Sequence, residues 1–318
     1  VPTKKSLEDH HSTTFRNFDL NTPDAMTVNS YRAAKENAKE NNGHSGSDPL
    51  ISNANADERF HGASRLGAWL EEFRGIVADK DAGRADRLPN LSVLRLSNDH
   101  TEGLAAGKPT PQFFVADNDY AVGRLIEAVS NSSYWKDTAI FFVEDDAQDG
   151  PDHVDAHRSV ALVISAYNRP GALVHEYHST VSLIRTMELL LGIQPMNQLD
   201  ATAAPIDVFQ DRADLRPFTA QLPNVALDNL LANPARDRET ARWMRRTAEQ
   251  DFSHPDMADA RALNEIIWYS VRGTKQVMPQ AARLPAFDAM PKPFSEDYED
   301  SKENLAASHR SRINREDD

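Results

Sequence analysis

Hydrophobic positions in the middle of the chain follow two spacings, which predict helices and strands in turn. Apolar side chains recur every three or four residues over 63–77, which predicts an amphipathic helix. Residues 138–143 and 159–165 are almost uninterrupted apolar runs, typical of strands buried on both faces. A further strand is predicted over 91–96, after a turn at 88–90.

Further helices are predicted between and after these strands. Asp117 is a suitable helix N-cap, because its carboxylate can accept hydrogen bonds from free backbone N–H groups. The amphipathic stretch 180–191 stops at Gly192, a normal C-cap residue, and helical patterns recur over 229–250 and 263–272. Strands that alternate with helices indicate an α/β domain with a largely parallel sheet.

The two ends of the chain lack this pattern. Residues 1–60 are polar and poor in periodicity, and we interpret them as an irregular lead-in to a core at 61–220. Residues 221–284 are interpreted as a helical extension. The stretch 285–318 is rich first in proline and then in charge, so it is expected to be disordered or wrapped on a partner.

Charge and composition exclude several classes of function. The 318 residues carry a formal net charge of -14, so nucleic acid is not expected as a partner. The absence of cysteine excludes disulfides, thiolate metal sites and a cysteine nucleophile. No apolar run approaches the length that spans a bilayer, so no transmembrane segment is expected. The polar N-terminal stretch shows no signal peptide.

Three polar clusters follow the predicted strands. They are Asp99 with His100, the acidic run 144–146 and the loop 149–157. In a parallel α/β sheet, ligands bind just beyond the C-terminal ends of the strands. The clusters are therefore candidates for one ligand site.

The stretch 144–158 holds six carboxylates and two histidines. Adjacent carboxylates repel one another unless a cation compensates, and a metal ion is the simplest compensator. Carboxylate with imidazole suits zinc, manganese or iron, whereas carboxylates alone suit calcium or magnesium. The alternative is a solvated acidic loop whose aspartates form turns. For Asp99 and His100, the alternative is a hydrogen-bonded structural pair.

Several contiguous segments have distinctive amino-acid sequences. They are LPNL at 88–91, NDHT at 98–101, ADND at 116–119, YWKDTAI at 134–140, EDDAQ at 144–148 and GPDHVDAHR at 150–158. With these segments, residues 88 to about 217 resemble a phosphoesterase family of the alkaline phosphatase superfamily. That family includes bacterial phospholipases C and acid phosphatases, and the similarity is greatest to a branch often fused behind a β-propeller.

The resemblance implies an alkaline-phosphatase-like, three-layer core in which metal ions at strand ends hold the phosphate. Asp145 and Asp146 match the paired metal ligands after the central strand. His157, just before the next predicted strand, matches a further metal histidine, and Asp99 is assigned to the same site. The implied cofactor is a divalent metal ion, with zinc, manganese or iron preferred to calcium.

The resemblance also implies residues for the chemistry. His100 matches a motif histidine that faces the phosphate or a metal, and His153 lies in an Asp-His-Val motif. Histidines near the leaving oxygen could supply protons, while the metal polarises the phosphoryl oxygens. The expected substrate is a phosphate ester, and the expected location is periplasmic or extracellular, as for most of the family.

Two parts of the family pattern are not found. These are a strand followed by a Glu-Asn pair of metal ligands, and the serine or threonine nucleophile. Residues 14–18 resemble the segment that comes after both. The sequence therefore predicts a core that lacks its N-terminal half. Three explanations stay open: a fragment of a longer protein, a half supplied by another chain, or a degenerate relative.

The first hypothesis for the function is a metal-dependent phosphoesterase, for which this chain supplies the C-terminal, metal-binding half. The alternative is a non-catalytic structural or interaction module that keeps the fold and an acidic metal-binding loop. A third possibility is an extracellular binding protein stabilised by calcium.

Overall fold

The structure is a computed structural model that describes residues 22–40, 64–144, 159–252, 257–273 and 275–278. Within these ranges the chain is mainly helical. In chain order, the elements are α1 (Val28–Glu40), α2 (Arg65–Asp81), α3 (Pro111–Ser130), β1 (Ala139–Val143), β2 (Ala161–Ser165), α4 (Thr180–Leu191), α5 (Gln198–Thr202), α6 (Arg238–Ala248) and α7 (Ala260–Arg272).

The predicted fold class is wrong. In the described part of the chain, β1 and β2 form a two-stranded antiparallel sheet, in which Ala139 faces Ser165 and Val143 faces Ala161. The described residues form no three-layer α/β core with a largely parallel sheet. Parallel strands need a crossover connection, usually a helix, whereas β1 and β2 are consecutive and pair directly.

The predicted strand at 91–96 is extended but has no partner strand among the described residues. Exposed and half-buried side chains alternate only over 93–96, where Leu94 and Leu96 are half-buried; Leu91 and Val93 are exposed. The two apolar runs that do form strands are also less buried than predicted. Val143 of β1 and Leu162 of β2 are exposed.

Most of the predicted helices are confirmed. The helix predicted at 63–77 is α2, and the helix predicted at 180–191 is α4, which ends at Gly192 in the left-handed conformation. The patterns at 229–250 and 263–272 correspond to the shorter α6 and to α7. Helix α1 was not predicted, because it lies in a polar stretch that was interpreted as irregular.

The predicted start of α3 is wrong. The helix begins at Pro111, with the Thr110 side chain accepting a hydrogen bond from the N–H of Phe113. Asp117 lies inside the helix and is fully buried. Contrary to the prediction, its carboxylate does not bind the N–H groups of its own helix. It accepts hydrogen bonds from the backbone N–H groups of residues 24–26 instead.

The largest apolar cluster joins α1, α2 and α3 to the segment 220–230. Its central residues include Met26, Tyr31, Leu70, Phe113 and Leu230. A second cluster packs the C-terminal ends of α2 and α3 against one face of the sheet, and α4 packs against the other face. Helices α6 and α7 pack on each other through a separate cluster that contains Trp243 and Ile266.

None of the described helices is both long and apolar enough to cross a membrane. The predicted boundaries between lead-in, core, extension and tail stay predictions. The tail at 285–318 and most of the lead-in lie outside the described residues.

Candidate functional site

An open cleft of about 2750 Å³ runs between β1 and the extended segment 88–97. Both segments start at the same place, because the Tyr134 hydroxyl donates a 2.6 Å hydrogen bond to Asp86 Oδ1. The ammonium of Lys80 lies 3.6 Å from the centre of the Tyr134 ring and 3.5 Å from Asp86. Segment 88–97 and β1 therefore leave a common contact and form two walls of the cleft.

The cleft is strongly acidic. Its lining includes seven carboxylates and only two basic side chains, Lys80 and Arg95. The carboxylates belong to Asp86, Asp99, Glu102, Asp119, Asp137, Glu144 and Asp251. Such an excess attracts cations and disfavours anions that have no cation with them.

Asp99, His100 and Glu144 all line this cleft. Asp99 and His100 follow the extended segment, and Glu144 follows β1. In chain order, Asp99 and His100 therefore come at the end of one wall and Glu144 at the end of the other. Asp99 is half-buried and accepts a 3.1 Å hydrogen bond from the His100 backbone N–H, whereas His100 is exposed.

The other predicted site residues lie outside the described residues. They are Asp145 and Asp146, which follow Glu144 directly in the sequence, and His153 and His157. Within the ranges that the structure describes, no three His, Asp or Glu side chains come close enough together to hold a metal ion. Oxygen and imidazole donors do line the cleft, and this donor set suits a divalent ion if the acidic run from 145 contributes ligands.

A buried polar network fixes the residues just before Asp99. Asp24 is fully buried, and its carboxylate accepts hydrogen bonds from the backbone N–H groups of Ser97 and Asn98, at 3.1 and 2.7 Å. Arg65 donates to the same carboxylate at 2.9 Å, and Asn118 donates at 3.1 Å. Two of these four hydrogen bonds hold the backbone immediately before Asp99.

Asp117 forms the second half of this network. Its carboxylate accepts hydrogen bonds from the backbone N–H groups of Asp24, Ala25 and Met26, at 2.8, 3.0 and 2.6 Å. The Asn98 side chain donates a fourth bond at 2.7 Å. Burial raises the pKa of Asp117 to about 7, and the charge of Asp24 raises it in the same direction.

Asn98 connects the two carboxylates. Its backbone N–H binds Asp24, its side-chain nitrogen binds Asp117, and its side-chain oxygen accepts a 3.2 Å bond from Arg65. A residue next to Asp99 is thus locked by three hydrogen bonds at 3% exposure. Locked neighbours of this kind keep a functional side chain in one orientation.

Sequence reasoning missed most of this network. Asp24 and Arg65 carry no motif, and a single buried acidic residue in a polar stretch gives no periodic signal. Asp117 was noticed only as a helix cap. The adjacency of Asn98 to the predicted Asp99–His100 pair was the one available indication that this loop is held rigidly.

The chain was also compared with known proteins. No protein-family model, no curated protein and no solved structure matches it.

Proposed function

We propose that the chain supplies the C-terminal, metal-binding half of a metal-dependent phosphoesterase, and that its site lies at the acidic end of the open cleft. The observation that supports this proposal most directly is that Asp99, His100 and Glu144 line one cleft. Glu144 lies 44 or more positions after the other two in the sequence, so folding is what brings all three to the same cleft. Glu144 also begins the acidic run that contains the two proposed metal ligands that follow it.

The proposed roles follow the chemistry of each side chain. Asp99, Asp145, Asp146 and His157 would hold a divalent cation, because carboxylate oxygen with imidazole nitrogen suits zinc, manganese or iron. Once bound, such an ion would offset the charge of the phosphoryl oxygens in a cleft that is otherwise repulsive to phosphate. The metal is therefore required for substrate binding as well as for chemistry.

The histidines have a separate proposed role. His100 is exposed at the cleft wall, where it can meet a substrate, and it follows the rigid Asn98 loop. An imidazole in this position can give a proton to a leaving oxygen. His153 is the second candidate for proton transfer. The chain's nucleophile is not assigned.

The metal is the first part of the proposal to test. We expect the purified chain to hold a transition metal at near-stoichiometric level by plasma mass spectrometry, and Asp145→Ala with Asp146→Ala to remove it. The matched control is Glu71→Ala with Glu72→Ala, which removes an adjacent acidic pair from the exposed face of α2. Equal metal content in both double variants would show that the acidic run is not the metal site.

The reaction is tested with p-nitrophenyl phosphate and with bis-p-nitrophenyl phosphate, in the presence of zinc or manganese. Turnover that His100→Gln reduces by about 10²-fold or more supports the proposed proton transfer. Absence of both metal binding and hydrolysis would contradict the proposal.

The alternative function, a non-catalytic interaction module, is favoured by a different observation. Much of the cleft wall is apolar, and Leu91 and Val93 are exposed along it. Metal binding without hydrolysis of either substrate would favour this alternative.

A further inference from the structure

The wall of the open cleft that β1 forms is a strand edge. Every residue from Ala139 to Glu144 lines the cleft. Successive side chains of a strand point to opposite faces, so a cleft lined by all of them meets the edge of the strand. β2 occupies the other edge, and no strand pairs with this one in the described part of the chain.

The opposite wall has the same character. All ten residues of segment 88–97 line the cleft, and exposed and half-buried side chains alternate over 93–96. Between Pro89 and Leu94, no backbone-to-backbone hydrogen bond joins this segment to another described residue. Two rows of extended backbone therefore face the same space.

The free edge of β1 lacks the usual protection of an exposed edge. Edge strands that remain open to solvent carry lysine, proline or inward-pointing charges, which prevent pairing with other chains. Residues 139–143 contain only alanine, isoleucine, phenylalanine and valine. On the other wall, Val93 is 91% exposed and Leu91 is 56% exposed. The β1 wall therefore has the composition of a sheet interior, while the other wall, which contains Pro89 and Arg95, exposes two apolar side chains.

The charge of the cleft restricts what can fill it. With seven carboxylates and two basic side chains along the lining, an acidic or neutral strand would add to the repulsion or leave it unrelieved. A strand flanked by lysine or arginine would lower it. The favoured occupant is therefore an apolar strand with basic ends.

From these observations we infer that the open cleft receives an extended strand of a different polypeptide. The strand pairs with the free edge of β1 by backbone hydrogen bonds and covers Leu91 and Val93 with its side chains. Addition of a strand to an exposed edge is an established mode of peptide recognition. This inference is independent of the proposed phosphoesterase activity, because it requires neither a metal nor a nucleophile.

The experiment uses a peptide of about nine residues in which valine alternates with threonine between terminal lysines. Binding to the full chain is measured by calorimetry at low salt. Two matched peptides serve as controls: one has proline in place of the central valine, and the other has glutamate in place of the lysines. We expect saturable binding of the first peptide, at least about tenfold weaker binding of the proline peptide, and weaker binding of the glutamate peptide.

Variants of the chain identify the surface. Val93→Lys introduces an ammonium group that an apolar strand would have to desolvate, so we expect at least about tenfold weaker binding. Val277→Lys makes the same change at a residue that is 81% exposed and does not line the cleft, and we expect no effect. Equal binding by the two variants, or no saturation up to about 1 mM peptide, would overturn the inference.

Hydrogen exchange and size separate the other possible occupants. In the free monomer, we expect the cleft-side amides of 139–143 to exchange rapidly and to become protected when the peptide binds. Protection in the free monomer would mean that the chain covers its own edge. A dimer that Val93→Lys dissociates would mean that a second copy fills the cleft. Either result would overturn the inference.

Discussion

The backbone N–H of Asp24 donates a 2.8 Å hydrogen bond to the carboxylate of Asp117, so two fully buried acidic residues, 93 positions apart in the chain, lie side by side. Arg65 is the cation that pairs with Asp24. If both carboxylates were ionised, the network would hold two negative charges and one positive charge. Such an imbalance in a buried site favours retention of a proton, in agreement with the raised pKa of Asp117.

The first prediction concerns stability against pH. The pKa of Asp117 is about 7 in the native chain and about 4 in the unfolded chain. The native state therefore keeps a proton that the unfolded state releases. The contribution of Asp117 to the free energy of unfolding is full below about pH 4, falls as the pH rises and is lost above about pH 7, a total on the order of 4 kcal/mol.

Urea denaturation at intervals between pH 4 and pH 8 measures this dependence. Asp117→Asn is the control, because its amide does not titrate. This variant should be less stable at low pH, since its NH₂ group faces backbone donors, but its stability should change less across the same range. An identical pH slope in the two proteins would show that Asp117 does not hold the proton.

The second prediction concerns Arg65. Its 2.9 Å contact with Asp24 is a buried ion pair, and Arg65→Met would leave the Asp24 carboxylate without its cation. We expect a loss of about 3–5 kcal/mol in the free energy of unfolding. Arg74→Met, on the exposed face of the same helix, should cost less than about 0.5 kcal/mol. Comparable effects of the two substitutions would refute the role of the pair.

The third prediction compares two glycines with positive φ. A Cβ atom at Gly103 would lie 3.2 Å from methyl carbons of both Ile266 and Thr247, whereas a Cβ atom at Gly83 meets nothing within 4 Å. Both substitutions to alanine strain the backbone, because φ is +61° at Gly103 and +69° at Gly83. Gly103→Ala should cost about 1–3 kcal/mol more than Gly83→Ala by thermal denaturation. Equal costs would mean that the side chains of α6 and α7 near Gly103 move aside without loss of stability.

The fourth prediction concerns the contact where the two cleft walls begin. The hydrogen bond from Tyr134 is the main cause that lowers the pKa of Asp86, while burial is the main cause that raises the pKa of Tyr134 to about 12. In Tyr134→Phe, the pKa of Asp86 should return towards its ordinary value, as measured by NMR titration of the carboxyl carbon.

Asp214 provides the internal reference for that titration. Its pKa is lowered to about 2 by hydrogen bonds from Arg216, which Tyr134→Phe does not remove, so it should not change in the variant. A constant Asp86 value in Tyr134→Phe would show that the hydroxyl is not its partner.

The sequence predicted local structure better than it predicted pairing. Helix α4 was predicted to the residue, because its apolar spacing and its Gly192 stop are both local signals. Both strands were also found. Their antiparallel arrangement was not, because an apolar run carries no information on the direction of its partner. The alternation of strands and helices then led to the wrong fold class.

Buried polar groups were the other source of error. Asp117 has the same local sequence whether it caps a helix or binds a segment 93 positions away, so only the tertiary structure distinguishes the two roles. For the candidate site, the sequence predicted one ligand site from clusters that include Asp99, His100 and Glu144, because each cluster follows an apolar segment, and these three residues line the same cleft. The assignments of Asp145, Asp146, His153 and His157 stay predictions.

The carboxylate network has a consequence for how the chain folds during synthesis. Asp24 leaves the ribosome first, but its partners Ser97, Asn98 and Asn118 and the carboxylate of Asp117 come some 70 to 95 residues later. At ordinary rates of translation, roughly 5–20 seconds pass before the last of them emerges. Until then the Asp24 carboxylate has Arg65 but lacks its other hydrogen-bond donors. The segment around Asp24 therefore completes its hydrogen bonds only after α3 has been synthesised, and this network is among the late contacts to form.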